Sequence, residues 1–327
     1  MPARLTSVPP GLVAVRLRDA ATLGLGPATL RHPRWRRLSH GLYGRRDAPG
    51  LDDLARAVAG VLPRQSGFGH VTSAALRGWW LPNGIHAGSV LLASTTSGVH
   101  VQRQGLYVRR SVHTQVEDLA GLPVVSAEET LLELAQDLSL VDLVPLVDCA
   151  LAAGIAPDGV LAAARPRARG ARTLRKAVAL ADPRSESWWE SVLRLMHVMT
   201  GLGPVDCQVE LWDGPQFLAR ADLHLVGTNR YPECDGGEHR TKERHGRDLR
   251  RDKAMTRNGA DRYGYTTAEI AHQPAMIIRD AEDARCLPHD PARAALWWRL
   301  ARSSTLTGHG RARLAGRLLR YRRAALR

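Results

Sequence analysis

Three carboxylates crowd the stretch RADLHLVGTNRYPECDGGEHR, residues 220 to 240. Alternation along FLARADLHLV places Phe217, Ala219, Ala221, Leu223 and Leu225 on one face of a strand, with Arg220, Asp222 and His224 on the other. The apolar face must seek a core, which leaves Asp222 on the polar side. After the turn signal Gly227-Thr228-Asn229, Glu233 and Asp235 lie two apart and project to one side of a returning strand that Gly236-Gly237 ends. The segment reads as a β-hairpin at one end of which Asp222, Glu233 and Asp235 meet. Carboxylates that converge repel one another unless a cation sits between them. Oxygen-only ligands suit a hard ion, Mg²⁺ or Mn²⁺, which keeps several waters and needs one or two protein carboxylates.

The elements that must position this cluster flank it. In SESWWESVLRLMHVMTGL the apolar residues follow helical spacing, and Ser187 can cap a helix that carries Glu190 in its first turn. PVDCQVELWDGPQFLARADLHLV then reads as two strands joined at Asp213-Gly214. Downstream, GEHRTKERHGRDLRRDKAMTRNG predicts a charged helix whose basic face holds Arg247, Arg250, Arg251 and Lys253, stopped at Gly259 before a last strand around residues 263 to 266. The order is α-β-β-β-α-β across residues 181–300. Pro232 cannot donate to a sheet ladder, so its strand is predicted to be an edge, bulged or distorted.

The rest of the chain is basic. It carries 46 Lys and Arg against 32 Asp and Glu over 327 residues, and all but Lys176, Lys242 and Lys253 of the cations are arginine. Such a balance suits a polyphosphate partner, since neutralising phosphates releases counterions; a GC-rich coding bias toward arginine is the bland explanation. Residues 1–50 suggest a winged helix-turn-helix: a short helix stopped at Gly24, a second starting at Pro27, and a wing in WRRLSHGLYGRR with Gly41 at its turn. Six arginines and no acid lie between Arg31 and Arg46, and Arg31, Arg34, Arg36 and Arg37 are the expected nucleic-acid contacts.

Residues 51–180 read as a mixed α/β middle region with no catalytic cluster. LDDLARAVAGVL and HVTSAALRGWWLP predict helices, the latter running to Pro82, SVLLAS and GLYVRRSV predict strands, and SAEETLLELAQDLSLVDLVPLVDCALAAG predicts a helical pair with Ser126 as a cap. ARPRARGARTLRK, residues 164–176, reads as a basic linker, with a basic helix as the alternative. Residues 301–327 end in a basic helix or tail, with seven arginines and no acid from 311 onward. Four scattered cysteines, Cys149, Cys207, Cys234 and Cys286, form no CxxC pair and suit a reducing compartment. With no apolar run of about 18 residues and no signal-like N-terminus, the expectation is a soluble, cytoplasmic protein.

Together, the Glu190 helix, Asp222, the ECDGGEH segment and the RDLRRD helix resemble the endonuclease-like domains related to very-short-patch-repair nucleases, within the PD-(D/E)xK superfamily. The front half, through HVTSAALRGWWLP and SAEETLLELAQDL, is similar to antitoxins of type IV (abortive-infection E) toxin–antitoxin systems. The resemblance implies an α/β (α+β) chain with a restriction-endonuclease-like C-terminal domain. It implies that Asp222 is the central metal-binding aspartate, Glu233 the second acidic ligand and Glu190 the helix acid, with Asp235 as a further ligand. His239 matches a histidine after the DG turn and could act as base. The superfamily's lysine falls at position 235, where this chain has Asp235; Lys242, Arg247 and Lys253 could substitute. The implied activity is Mg²⁺- or Mn²⁺-dependent phosphodiester hydrolysis on DNA, with RNA left open. The alternatives are a non-catalytic, antitoxin-like DNA-binding regulator and a nuclease-fold effector acting on RNA. A cognate toxin and a second copy of the chain remain open as partners.

Overall fold

The computed structural model describes residues 12, 14–46, 50–85, 90–99, 101–103, 105–235 and 255–326. The fold is mixed α/β with several small sheets, and it divides into two compact units. The first comprises Met1–Asp137 and Leu314–Arg327, the second Leu138–Arg313. The boundary expected at 180 therefore falls inside the second unit.

The first unit opens with β1 (Ala14–Arg16), α1 (Leu17–Ala20), a 3₁₀ turn, α2 (Pro27–Arg31), β2 (Trp35–Ser39) and β3 (Leu42–Arg45), whose strands form a sheet in the order β1-β3-β2. Gly24 takes a left-handed φ of 69° where the first helical segment stops, and Gly41 a φ of 68° at the hairpin turn, as the sequence requires. Val15, Ala20, Leu25, Leu30 and Trp35 close a small core under these elements. The chain continues through α3 (Leu51–Ala59) into a six-stranded sheet made by β4 (Ser66–Phe68), β5 (Leu91–Thr95), β6 (Gln102–Arg103), β7 (Leu106–Arg110), β8 (Val116–Leu119) and β9 (Leu122–Val125). Helices α4 (His70–Leu76) and α5 (Ala127–Leu134) belong to the same unit. The α4 helix stops well short of Pro82, because Gly78 turns the chain left-handed at φ 72°.

In the second unit α6 (Leu140–Ala152), α7 (Pro157–Ala163) and α8 (Ala171–Leu180) precede α9 (Trp188–Met199). The expected linker at 164–176 is in part α8, because Ala171, Leu174 and Ala177 form a buried stripe at helical spacing among the basic residues. On α6, the wholly buried Asp148 accepts hydrogen bonds from Arg194 Nη2 at 2.7 Å and Ser191 Oγ at 2.6 Å, which anchors α9. Beyond α9 come β10 (Val205–Asp213), β11 (Gln216–Leu225), β12 (Arg230–Asp235), helical residues 255–257 and β13 (Asp261–Thr266). Helices α10 (Thr267–His272), α11 (Pro274–Ala284) and α12 (Pro291–Ala301) follow, and α13 (Gly308–Leu326) completes the chain, its residues from Leu314 onward belonging to the first unit. Among the described residues no helix is long and apolar enough to cross a membrane.

Strands β10 and β11 form an antiparallel hairpin, and β12 pairs with β13 in parallel. The hairpin expected between β11 and β12 is not a backbone ladder: the two strands fall in separate two-stranded sheets. Cys234 N, the donor β12 would offer β11, goes instead to Asp222 Oδ2 at 2.9 Å. Pro232 lies two residues back, on the same edge, and has no N–H to offer. Ala219, Ala221, Leu223 and Leu225 are buried as alternation requires. Phe217 departs from that face. It is 49 % exposed and packs edge-on against Trp212 at 5.2 Å, at the turn end of the β10–β11 hairpin.

Candidate functional site

Glu190 enters the site from the first turn of α9, where Ser187 accepts from Glu190 N at 3.1 Å and caps the helix. Its side chain is buried, and Oε2 accepts from Glu186 N and from Gln208 Nε2, each at 2.9 Å. Gln208 lies on β10 between Cys207, which pairs with Leu223, and Val209, which pairs with Ala221, so it stands opposite Asp222. Its φ of 53° is unusual for a residue with a side chain. Burial raises the pKa of Glu190, and the neighbouring charge of Asp222 raises it further.

Asp222 is positioned by β11 and by its bond to Cys234 N. The Cys234 thiol is pushed up to about 12, chiefly by burial and then by the negative charges of Asp222, Glu190 and Asp235. The charges of three acidic residues expected at the site are thus felt at Cys234 on β12.

The other face of the arrangement belongs to Arg262 on β13. Its Nε donates to Glu233 Oε2 at 2.5 Å and its Nη2 to Asp235 Oδ1 at 3.0 Å. Glu233 and Asp235 share a face of β12, as their spacing required, and one guanidinium spans both. The close approach depends on Gly264, which pairs with Glu233 in the ladder; a Cβ there would lie 2.5 Å from Asp235 Oδ2. Nearby, His224 stacks on Tyr231 with ring centroids 4.5 Å apart, and its Nε2 bonds to Thr228 O at 2.9 Å. That ring is a packed neighbour of the carboxylates.

Asp222 and Glu190 therefore form one electrostatically linked pair, whereas Glu233 and Asp235 are joined through Arg262. Two carboxylates are a sufficient protein donor set for Mg²⁺, which takes its remaining ligands from water and phosphate. Among the described residues no group of three or more His, Cys, Asp or Glu side chains is gathered as a metal cluster. His239, Lys242, Arg247, Arg250, Arg251 and Lys253 lie outside the described residues. In the first unit Arg31, Arg34, Arg36 and Arg37 are all exposed on α2 and the β2 strand region.

Two residues of the site escaped sequence reasoning. Gln208 gives no signal, because its role follows from a backbone excursion. Arg262 alternates with Gly264 in DRYGYT, but its reach to Glu233 depends on the parallel β12–β13 register, which local sequence does not encode.

No family model, curated protein or solved structure matches the chain.

Proposed function

We propose that the chain is a metal-dependent endonuclease that hydrolyses phosphodiester bonds of nucleic acid, DNA foremost. In this reading residues 1–50 form a winged helix-turn-helix and residues 181–300 a restriction-endonuclease-like core. The order α9, β10, β11, β12, β13, with helical residues 255–257 before the last strand, supports the second assignment. The observation that carries the function is the buried Glu190 on a helix, bonded to Gln208 opposite Asp222 on the neighbouring strand and electrostatically linked to it. Such an arrangement costs stability and suits a site that receives a cation.

Asp222 and Glu190 would hold Mg²⁺ or Mn²⁺. When bound, the ion supplies Lewis acidity toward a phosphate oxygen and lowers the pKa of a coordinated water. Gln208 fixes the Glu190 carboxylate by donating to Oε2. Arg262 ties Glu233 to Asp235 and provides positive charge where the superfamily's lysine is replaced by Asp235. The exposed arginines of the first unit would bind backbone phosphates, which positions a duplex without selecting its sequence.

A non-catalytic DNA-binding regulator is the second reading, favoured by the engagement of Glu233 and Asp235 with Arg262. Cleavage of supercoiled plasmid, single-stranded DNA and RNA with Mg²⁺, Mn²⁺ or EDTA separates the two. Asp222→Asn keeps an acceptor for Cys234 N while removing the charge. Metal-dependent cutting lost in this variant, with binding retained, is the expected result. Binding without cutting under every condition would overturn the enzyme and leave the regulator.

A further inference from the structure

A groove in the first unit gathers arginines and a histidine from three separate parts of the chain. It is an open groove of about 490 Å³ where the start of α1, the turn between β2 and β3, the end of α3 and strand β6 meet. Arg16, Arg18, His40 and Arg103 line it, and among the described residues no carboxylate does. Arg16 is committed to the walls: its Nε donates to Asp19 and its Nη1 to Gly60 O at 3.0 Å. Arg18 has its side chain 73 % exposed and its Nε 3.6 Å from Asp19 Oδ1, beyond hydrogen-bond reach.

Backbone contacts hold the remaining groups in place. Leu17 N donates to Gly41 O at 2.7 Å, fixing the α1 start against the hairpin turn. Arg103 Nη1 donates to His40 O at 3.0 Å, fixing β6 against the same turn. Arg37 Nη2 lies 2.9 Å from His40 Nδ1. A guanidinium can only donate, so Nδ1 accepts and the ring proton sits on Nε2, making the exposed His40 a donor there. The groove thus presents the exposed Arg18 together with the remaining N–H groups of Arg103 and His40 Nε2–H, the latter two held by bonds to main chain or to a neighbouring arginine.

We propose that this groove holds backbone phosphates of nucleic acid, gripped by Arg18, Arg103 and His40. Arginine forks match phosphate oxygens in geometry as well as charge. A free phosphate offers the same chemistry. A nucleic-acid strand is favoured because Arg37, bonded to His40, continues the basic surface toward the exposed Arg36 and Arg34. The contact then extends beyond the helices and hairpin of residues 14–45 to Arg103, in the six-stranded sheet. This inference rests on the nucleic-acid reading given above and adds Arg18, His40 and Arg103 to it.

The test uses the full chain in EDTA, with a fluorescently labelled duplex titrated by anisotropy between about 50 and 200 mM salt. Arg18→Gln and Arg103→Gln are each expected to reduce the slope of log affinity against log salt by about 1, uniformly across duplex sequences. The pair combined should reduce it by about 2. Thermal melts without ligand should match the wild type for Arg18→Gln and fall slightly for Arg103→Gln, which loses its bond to His40 O. Duplex binding with an unchanged slope in both variants would overturn the groove and leave the nucleic-acid reading intact. Absence of any nucleic-acid binding by the wild type would overturn both. Calorimetric binding of inorganic phosphate that Arg18→Gln and Arg103→Gln abolish, with duplex affinity untouched, would assign the groove to a free anion and refute the proposal.

Discussion

Replacing Glu190 by Gln separates a metal site from an ordinary buried acid. The Glu190 Oε2 accepts from Glu186 N and Gln208 Nε2, both at 2.9 Å. A glutamine oxygen in the same place keeps both bonds, and its amide then offers a donor on the side of Asp222. The substitution removes a like-charge repulsion and gives a hydrogen bond to a charged group. Weaker acceptance by an amide than by a carboxylate offsets part of this, so the net stabilisation without metal is about 1 kcal/mol. For a unit of this size that is a rise of roughly 2–4 °C in Tm.

Metal should reverse the order. At about 100 times its Kd, a bound ion stabilises the wild type by about 2.7 kcal/mol, and Glu190→Gln should lose most of that increment. Thermal unfolding with EDTA and with Mg²⁺ therefore predicts curves that cross: the variant leads without metal and trails with it. The pH dependence has a definite sign. The folded pKa of Glu190 is raised above 4.5, so the wild-type penalty is fully present above that raised value and is relieved as pH falls toward 4.5. The advantage of the variant should shrink over the same interval. A wild type whose Tm ignores Mg²⁺, together with a variant less stable in EDTA, would refute the reasoning.

Arg262→Ala leaves the buried Glu233 without the guanidinium that spans it and Asp235, and should cost about 3 kcal/mol in urea unfolding. Arg262→Lys, which keeps charge but not the fork, should cost less; equal costs would argue against the bidentate arrangement. His197 is buried on α9, with Nδ1 bonded to Leu193 O at 2.8 Å, and its pKa falls to about 4, mainly through burial. The unfolded chain takes up that proton near 6.5, so the stability from keeping His197 neutral is complete above 6.5 and is lost as pH falls through 4. The loss amounts to about 3 kcal/mol across that window. His197→Leu should flatten this acid limb, and an unaltered limb would remove His197 as its cause.

Local signals in the chain were faithful wherever a short-range rule governs them. Ser187 caps α9 and Ser126 caps α5, Asp213-Gly214 turns the β10–β11 hairpin, and period-two alternation along β11 puts Asp222 opposite the buried face. These outcomes depend on a few neighbouring residues, whose backbone needs and apolar periods are written in order. The 164–176 stretch misled because dense arginine hides a buried stripe of Ala171, Leu174 and Ala177, and burial of alternate turns outweighs surface composition.

By itself, the amino-acid order determined that acidic residues would cluster on β11, β12 and the first turn of α9, and that exposed arginines would follow Pro27. Only the tertiary structure decided how those acids divide, Glu190 with Asp222 and Glu233 with Asp235 through Arg262. It also decided that Arg103 meets the β2–β3 turn more than sixty residues away, bonding to His40 O. The division follows from a parallel register and from a proline that leaves one strand edge without a donor. Charge pairing acts through space, at distances the chain sets only once its strands have found their neighbours.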